Sequence, residues 1–541
     1  MQGLRPDKAG QILGVRSSTS RFFALRFARR VASVFLPAVL CALSSVLCVS
    51  GCGSRKPPPG TVTMLIESSP ANLDPRIGTD GQAEHIDALI FDPLVVRDAH
   101  FGLQPGLATS WLNPDPLTWI FHLRSGVRFS DGRPLTSRDV KWTIDSIMNG
   151  TVISVKAGSY TSLVSIEAPN PTTVIFHLKT PDPSLLFNLC DGAIGIVPYG
   201  SGRNFWRDPI GSGPFVFVSQ QVDRDVILAR NPNYWGPKPH IARIVFAVVP
   251  DATTRALELR KGSADVESDA LPPDMVDVLR RDPRLAVDEG PGTNLYYIVF
   301  NLHDPVLRDV RVRRAIAMAI NRPLLIQTLY RGQARPAEST LPPEHWAWTG
   351  DTMHYPFDPA AAGCLLDQAG YRRGPNGVRF HITMKISNAE EDVRLVSVAI
   401  QAMLARVGIA LDLRSYEFAT FYADLTRGAF QMAPSRWIGG NANPDIFRYI
   451  WATKAFPPRG ANRGYYSDPV MDRLIADAAL ASDQQQRIAD YHRIQQIAAR
   501  DLPDLNLWYV DTVIVHDHRI GNIHVDATGT YDFLRIATVN N

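Results

Sequence analysis

Large apolar residues occupy every second position in one stretch near residue 120, where Trp119, Phe121 and Leu123 follow one another at a two-residue spacing. This period is typical of a β-strand with one buried face. After a break, Val127 and Phe129 repeat the spacing, which predicts a second, short strand.

The pattern then becomes helical. Thr136 is a residue type that caps helix N-termini, and Asp139 stands three positions later, as in a capping box. Val140, Ile144 and Ile147 recur at spacings of three and four residues, which predicts a helix with one apolar face. The whole stretch therefore predicts strand, short strand, turn and capped helix, in that order.

Strand and helix periods alternate over the rest of the chain. The predicted elements include strands at Thr61–Ile66, Tyr296–Asn301 and Phe380–Ile386 and helices at Asp309–Arg322 and Val393–Val407. Such alternation in a chain of 541 residues predicts an α/β protein with several domains.

The N-terminus has the composition of a secretory signal. Residues 1–30 hold six arginines and one acidic residue, and residues 31–49 are apolar. The apolar run approaches the length that spans a bilayer, so an uncleaved signal anchor is the alternative.

Small residues precede Cys52 in the sequence Val49-Ser-Gly-Cys52, which resembles a bacterial lipobox. We therefore predict a lipoprotein signal peptide over residues 1–51, lipid attachment at Cys52, and a proline-rich tether over residues 52–60.

The charge changes once the signal is removed. The chain has a formal net charge of +3, but residues 1–51 contribute +6, so residues 52–541 carry −3. This balance argues against a nucleic-acid partner, which would require a basic patch.

Catalytic and metal-binding motifs are missing from the sequence, which contains no CxxC pair, HExxH, GxSxG or Walker loop. We therefore predict no catalytic residue, no metal and no cofactor. His516 and His518 lie two residues apart in a predicted strand and are expected to be exposed rather than ligands.

Leu107-Ala-Thr-Ser-Trp111 followed by residues 121–140 resembles the signature of the bacterial extracytoplasmic solute-binding proteins of family 5, the peptide and nickel receptors of ABC importers. Further segments resemble the family pattern from about Thr61 to near the end of the chain. They include Glu67–Pro75, which ends in Leu-Asp-Pro, Gly211–Phe215, Arg230–Trp235 and Tyr466–Leu474.

The resemblance implies a periplasmic-binding-protein-like α/β fold with three domains, two lobes of which close over a cleft. Domain I is expected to be discontinuous over residues 61–93, 205–290 and 516–541, with domain II at 94–204 and domain III at 291–515. Cys190 and Cys364 then fall in different domains, which favours two separate buried thiols over a disulfide.

The resemblance also places the ligand cleft beside Ser435–Phe447. Dipeptide and oligopeptide receptors of the family carry an aspartate a few residues after the tryptophan, for the α-ammonium group of the peptide; here that position is Gly440. The arginine that the dipeptide receptor uses for the peptide carboxylate is also missing, because no arginine follows Phe380–Ile386 before Arg394.

We therefore take a set of cleft residues as ligand-binding candidates. Trp437 is expected to stack on the cargo, Asn441 and Asn443 to make polar contacts, and Asp445 either to replace the missing acid or to serve as a helix cap or surface residue. Thr79 and Asp80 are candidates at the cleft mouth, with a helix N-cap as the equal alternative, and Asn301 completes the set.

These expectations predict a monomeric, lipid-anchored receptor in the periplasm or cell envelope that passes a peptide-like solute to ABC permease subunits. A receptor of the same fold for an oligosaccharide or a nickel chelate, or a sensory co-receptor, is the alternative. A hydrolase is disfavoured because the sequence shows no pairing of nucleophile and base.

Overall fold

The computed structural model describes residues 58–78, 80–182, 184–190, 194–389, 391–439, 442–481 and 483–540. The predicted signal peptide and Cys52 lie outside the described residues.

Nineteen strands are found in the described part of the chain. They are β1 (Thr61–Ile66), β2 (Val95–Arg97), β3 (Leu103–Pro105), β4 (Ala108–Asp115), β5 (Thr118–Leu123), β6 (Leu163–Asn170), β7 (Thr173–Leu178), β8 (Phe215–Gln221), β9 (Asp225–Arg230), β10 (Arg243–Val248), β11 (Val266–Ser268), β12 (Leu285–Phe300), β13 (Ala334–Pro336), β14 (Phe380–Ser387), β15 (Ile409–Tyr416), β16 (Met432–Trp437), β17 (Asp504–Asp517), β18 (Ile520–Gly521) and β19 (Thr538–Val539).

Thirteen α-helices accompany these strands within the described residues. They are α1 (Gly81–Ile90), α2 (Ser137–Met148), α3 (Leu185–Asn188), α4 (Ala252–Lys261), α5 (Pro273–Leu279), α6 (Val310–Ala319), α7 (Arg322–Leu329), α8 (Pro359–Gln368), α9 (Glu391–Arg406), α10 (Phe418–Thr426), α11 (Ile446–Trp451), α12 (Pro469–Leu480) and α13 (Gln484–Asp501).

An eleven-stranded mixed sheet runs through the molecule in the order β15-β14-β16-β12-β17-β11-β1-β10-β9-β8, with β13 paired to β17. β14 pairs in parallel with β15, and β1 with β10, whereas β12 is antiparallel to both β16 and β17. Because β12 lies between β16 and β17, it fixes the position of the predicted cleft strand. The predicted α/β class is confirmed.

Separate apolar cores cover this sheet. One joins Ile298 of β12 to Ile316 of α6 and Ile400 of α9, all of them buried. Another joins Phe246 of β10 to Ile86 of α1. Residues 59–541 form one compact unit, and the division into three domains stays a prediction.

A four-stranded antiparallel sheet, in the order β4-β5-β7-β6, contains the stretch with the clearest pattern. Phe121 of β5 packs edge-on against Phe176 of β7, with ring centroids 5.2 Å apart. The backbone N–H of Thr136 donates to the Asp139 carboxylate at 2.7 Å, which caps α2. The predicted strand β5 and the capped helix α2 are confirmed. The predicted short strand at Val127 and Phe129 is wrong, because this segment forms only an isolated bridge between Arg128 and Pro134.

Two expectations about single side chains are wrong. His516 is buried in β17, and its Nε2 lies 2.8 Å from a carboxylate oxygen of Asp288, since β17 is a central strand with neighbours on both sides. Cys190 and Cys364 are not joined in a disulfide, as predicted, but Cys364 is exposed on α8 rather than buried.

Among the described residues, no helix combines the length and the apolar character that a membrane crossing needs. The described residues also contain no group of three or more histidine, cysteine or acidic side chains placed to hold a metal ion.

Candidate functional site

Trp437 stands at the end of β16, where its backbone is paired with Leu295 of β12. Its indole ring stacks on Tyr297 with centroids 5.8 Å apart and planes only 3° from parallel, and Tyr449 meets it edge-on at 6.3 Å. Because β12 holds Tyr297 and α11 holds Tyr449, two secondary-structure elements fix the orientation of the half-buried indole.

A cavity of about 820 Å³ opens beside this indole. Trp437, Asn443, Asp445, Arg448 and Tyr449 form part of one wall. Residues between 158 and 188, among them Ser162 and Lys179, form a second wall, so the cavity is lined by distant parts of the sequence. Its size is in the range that ligand-binding clefts usually have.

Asp445 is already engaged by protein groups. One of its carboxylate oxygens accepts a hydrogen bond from the Ser184 hydroxyl at 2.7 Å and lies 2.5 Å from Nη2 of Arg448. The Asp445 hydrogen bond raises the pKa of Arg448. The structure therefore shows Asp445 bracing the cavity wall with both partners.

Two arginines flank Trp437 on the side of β16 that faces a smaller cavity of about 240 Å³. The guanidinium of Arg463 lies 5.7 Å from the indole centroid, and Arg436 donates to the Tyr296 hydroxyl at 2.6 Å. Tyr296 in turn donates to Asp392 in the first turn of α9. Positive charge therefore reaches the site from β16 and from the loop after α11.

The sequence interpretation missed these arginines. Arg436 precedes Trp437 directly and could have been noticed there. Arg463 carries no comparable signal, because it reaches the indole only through the path of the chain after α11. Glu391 and Asp392 lie in the first turn of α9, where acids complement the helix dipole.

The remaining predicted residues lie elsewhere or outside the described part of the chain. Asp80 caps α1 by accepting from the Ala83 N–H at 2.9 Å. Asn301 is buried, and its amide donates to the carbonyls of Gly428 and Phe430 at 3.0 and 2.8 Å. The cavity beside Trp437 thus unites Trp437, Asn443 and Asp445, but neither Asp80 nor Asn301 lines it.

Thr79, Gly440 and Asn441 lie outside the described residues.

A family model and two curated relatives match more than half of this chain. The model of the family described as bacterial extracellular solute-binding proteins, family 5, matches residues 102–457. The chain is 27% identical over 513 residues to the dipeptide-binding protein of Escherichia coli K12, covering 88% of this chain and 94% of that protein. It is 28% identical over 476 residues to heme-binding protein A of Haemophilus influenzae, covering 82% and 86% of the two chains.

A solved structure shows the same fold. The ABC transporter-associated periplasmic binding protein DppA from Helicobacter pylori, in complex with the peptide STSA, superimposes with a TM-score of 0.72 and 27% identity, covering 89% of this chain and 98% of that one. The predicted periplasmic-binding-protein-like fold is thereby confirmed.

Proposed function

The chain belongs to the bacterial extracellular solute-binding proteins of family 5, and on this premise we propose that it captures a peptide-like solute in the cleft beside Trp437 and delivers it to an ABC permease. The family binds small peptide-like solutes and works with ABC transporter permeases, and its members are extracellular or periplasmic. The relatives are binding proteins rather than enzymes, which supports a role without catalysis.

The observation that carries this proposal is the cavity of about 820 Å³ between the Trp437–Tyr449 wall and residues 158–188. A solute in this cavity would contact both walls at once. Binding energy would then favour the arrangement in which the walls are close together, and a permease can read that arrangement.

The charged groups around Trp437 restrict the kind of solute that can bind there. Gly440 offers no side chain where peptide receptors of the family carry an acid, and Asp445 is already paired with Arg448. An ammonium group buried there without a partner would cost on the order of 3–5 kcal/mol. Since Asp445 is already paired with Arg448, we infer that a neutral or anionic group of the cargo faces Trp437.

The deciding experiment is mass spectrometry of the solutes that co-purify with residues 53–541. We expect a peptide-like solute whose amino end is blocked, internal or otherwise uncharged. Calorimetry should then show that an N-acetylated dipeptide binds more tightly than the free dipeptide, and that Gly440→Asp reverses this order. A free dipeptide that binds tightly and does so equally well with Gly440→Asp would refute the proposed charge preference.

An oligosaccharide or a nickel chelate is the alternative cargo, and elemental analysis of the same sample distinguishes the chelate. A sensory co-receptor is the alternative role. Neighbouring genes for a permease and an ATPase would favour transport, and a neighbouring membrane kinase would favour sensing.

Lipid anchoring belongs to the same proposal. A basic segment, an apolar segment and Ser-Gly before Cys52 support cleavage at this cysteine and its lipidation. We expect Cys52→Ser to abolish incorporation of radioactive palmitate and to release the protein from the membrane fraction. Palmitate labelling that survives the substitution would rule the anchor out. The three domain ranges and the monomeric state remain part of this proposal.

A further inference from the structure

A second cavity, of about 570 Å³, is lined by three of the ten tryptophans of the chain. Trp111 of β4 and Trp119 of β5 stand on neighbouring strands of the four-stranded sheet, and Trp346 comes from the loop between β13 and α8. All three indoles are half-buried, and each packs against an apolar core on its own side. We call this space the tryptophan cavity.

The cationic side chain of Arg487 lines the same cavity. The guanidinium of Arg487, in the first turn of α13, lies 5.3 Å from the ring centroid of Trp346. Its Nε is buried without a hydrogen-bond partner, and no acidic side chain forms an ion pair with it among the residues that the structure describes. Arg487 also forms a side-chain hydrogen bond with the Tyr491 phenol, which is a neutral group.

The acidic residue among the described residues of the cavity lining is Asp182. Its two oxygens are occupied, one by the Ser162 hydroxyl at 2.5 Å and one by the Ser184 N–H at 3.0 Å. Asp182 therefore contributes to the wall, and Arg487 is the cation among the described residues of the lining.

The tryptophan cavity shares part of its wall with the cleft beside Trp437. Pro181, Asp182, Ala479 and Leu480 line both spaces. Each space alone falls in the size range of a small-molecule site.

We propose that the tryptophan cavity is a second subsite, which takes a planar aromatic group that bears a carboxylate. The ring stacks among Trp111, Trp119 and Trp346, and the carboxylate accepts hydrogen bonds from Arg487. This assignment rests on the proposed function, because it describes the far end of a captured solute. It adds that the cargo is longer than a dipeptide and ends in an aromatic acid.

The test uses ligand-free residues 53–541, prepared by unfolding and refolding, and two probes of the same shape, 2-naphthoate and neutral 2-naphthamide. Calorimetry should show that Arg487→Gln weakens binding of 2-naphthoate about tenfold or more and changes binding of 2-naphthamide less than twofold. Trp119→Ala should weaken both probes, and Trp119→Phe should restore most of the loss if Trp119→Ala folds poorly.

Arg493→Gln is the matched control, since Arg493 lies on the same helix but is exposed outside the cavity. Equal effects of Arg487→Gln and Arg493→Gln on 2-naphthoate would overturn the subsite, as would a lack of 2-naphthoate binding at millimolar concentration. The naphthalene probes do not depend on peptide binding. Arg487-dependent binding of 2-naphthoate without any co-purifying peptide-like solute would therefore refute the cargo proposal and leave the subsite standing.

Discussion

The Ser184 hydroxyl donates a hydrogen bond to a carboxylate oxygen of Asp445 at 2.7 Å, although the two residues lie 261 positions apart in the sequence. Both side chains are buried, and both line the cavity beside Trp437. Ser184 precedes α3 and Asp445 precedes α11, so the bond joins residues that were assigned to domains II and III. It is the kind of contact that a closing cleft can form and break.

Ser184→Ala should weaken binding of the cargo, although Ser184 acts through closure of the cleft and not through contact with the cargo. A hydrogen bond of this kind contributes about 1 kcal/mol, which corresponds to about a fivefold higher Kd if the bond exists only with the cleft closed. Calorimetry with the solute identified by mass spectrometry measures this change. Ser165→Ala, at an exposed position of β6, is the control. Equal affinities of wild type and Ser184→Ala would show that the bond does not report on closure.

Trp437→Ala should reduce cargo affinity at least tenfold, because the indole is a half-buried aromatic wall held by Tyr297 and Tyr449. Trp437→Phe keeps a flat ring on Tyr297 and should lose less. Titration calorimetry compares both variants with Trp206→Phe, which alters a tryptophan at a different surface. If Trp437→Ala binds as tightly as wild type, the cargo does not lie against this indole.

The local sequence pattern was sufficient to predict part of the secondary structure. The alternation of Trp119, Phe121 and Leu123 predicted β5, and the Thr136–Asp139 pair predicted the start of α2, because both signals act within a few residues. The family resemblance then located Trp437, Asn443 and Asp445 at one cavity.

Contacts between distant segments could not be predicted in the same way. Nothing near Ser184 indicates that Asp445 will be its partner, and nothing near Trp346 indicates that it will line a cavity. The structure places Trp346 at a cavity together with Arg487, a residue 141 positions later, because α13 returns to the loop between β13 and α8. Such pairings depend on how whole elements pack, which no short period encodes.

Buried acids should make stability depend on pH. Burial raises the pKa of Glu267 from 4.5 to about 8, and it raises the pKa of Asp269 to about 7. A raised folded-state pKa means that the acid stays protonated in the folded protein at a pH where it would ionise in the unfolded chain. The contribution of the protonated acid to the free energy of unfolding is fully present below the unfolded-state pKa and is lost as pH rises through about 8. Thermal unfolding of wild type should therefore shift to lower temperature between pH 5 and pH 9.

Glu267→Gln should flatten this dependence. The Ala270 N–H donates a hydrogen bond to a carboxylate oxygen of Glu267 at 2.7 Å. The side-chain oxygen of glutamine can accept the same bond, but glutamine cannot ionise. We expect the variant to gain stability relative to wild type at the alkaline end and little at pH 5. Asp223→Asn, which alters an exposed acid in the β8–β9 turn, should leave the slope unchanged. Parallel pH profiles of wild type and Glu267→Gln would contradict the assignment.

Two backbone segments approach each other closely at Gly211, which lies in the segment that resembles a family motif. A Cβ at this position would lie 1.9 Å from the Ile90 carbonyl oxygen at the end of α1, a separation that requires the backbone to shift. The neighbouring Gly213 N–H donates to the same oxygen at 2.9 Å, so movement of Ile90 would also disturb a hydrogen bond.

Gly211→Ala should lower the free energy of unfolding by about 1–3 kcal/mol. Urea denaturation measures this loss, and Gly202→Ala is the matched control because a Cβ there meets no atom within 4 Å. Equal unfolding midpoints for the two variants would show that the Ile90 carbonyl does not exclude a side chain at residue 211.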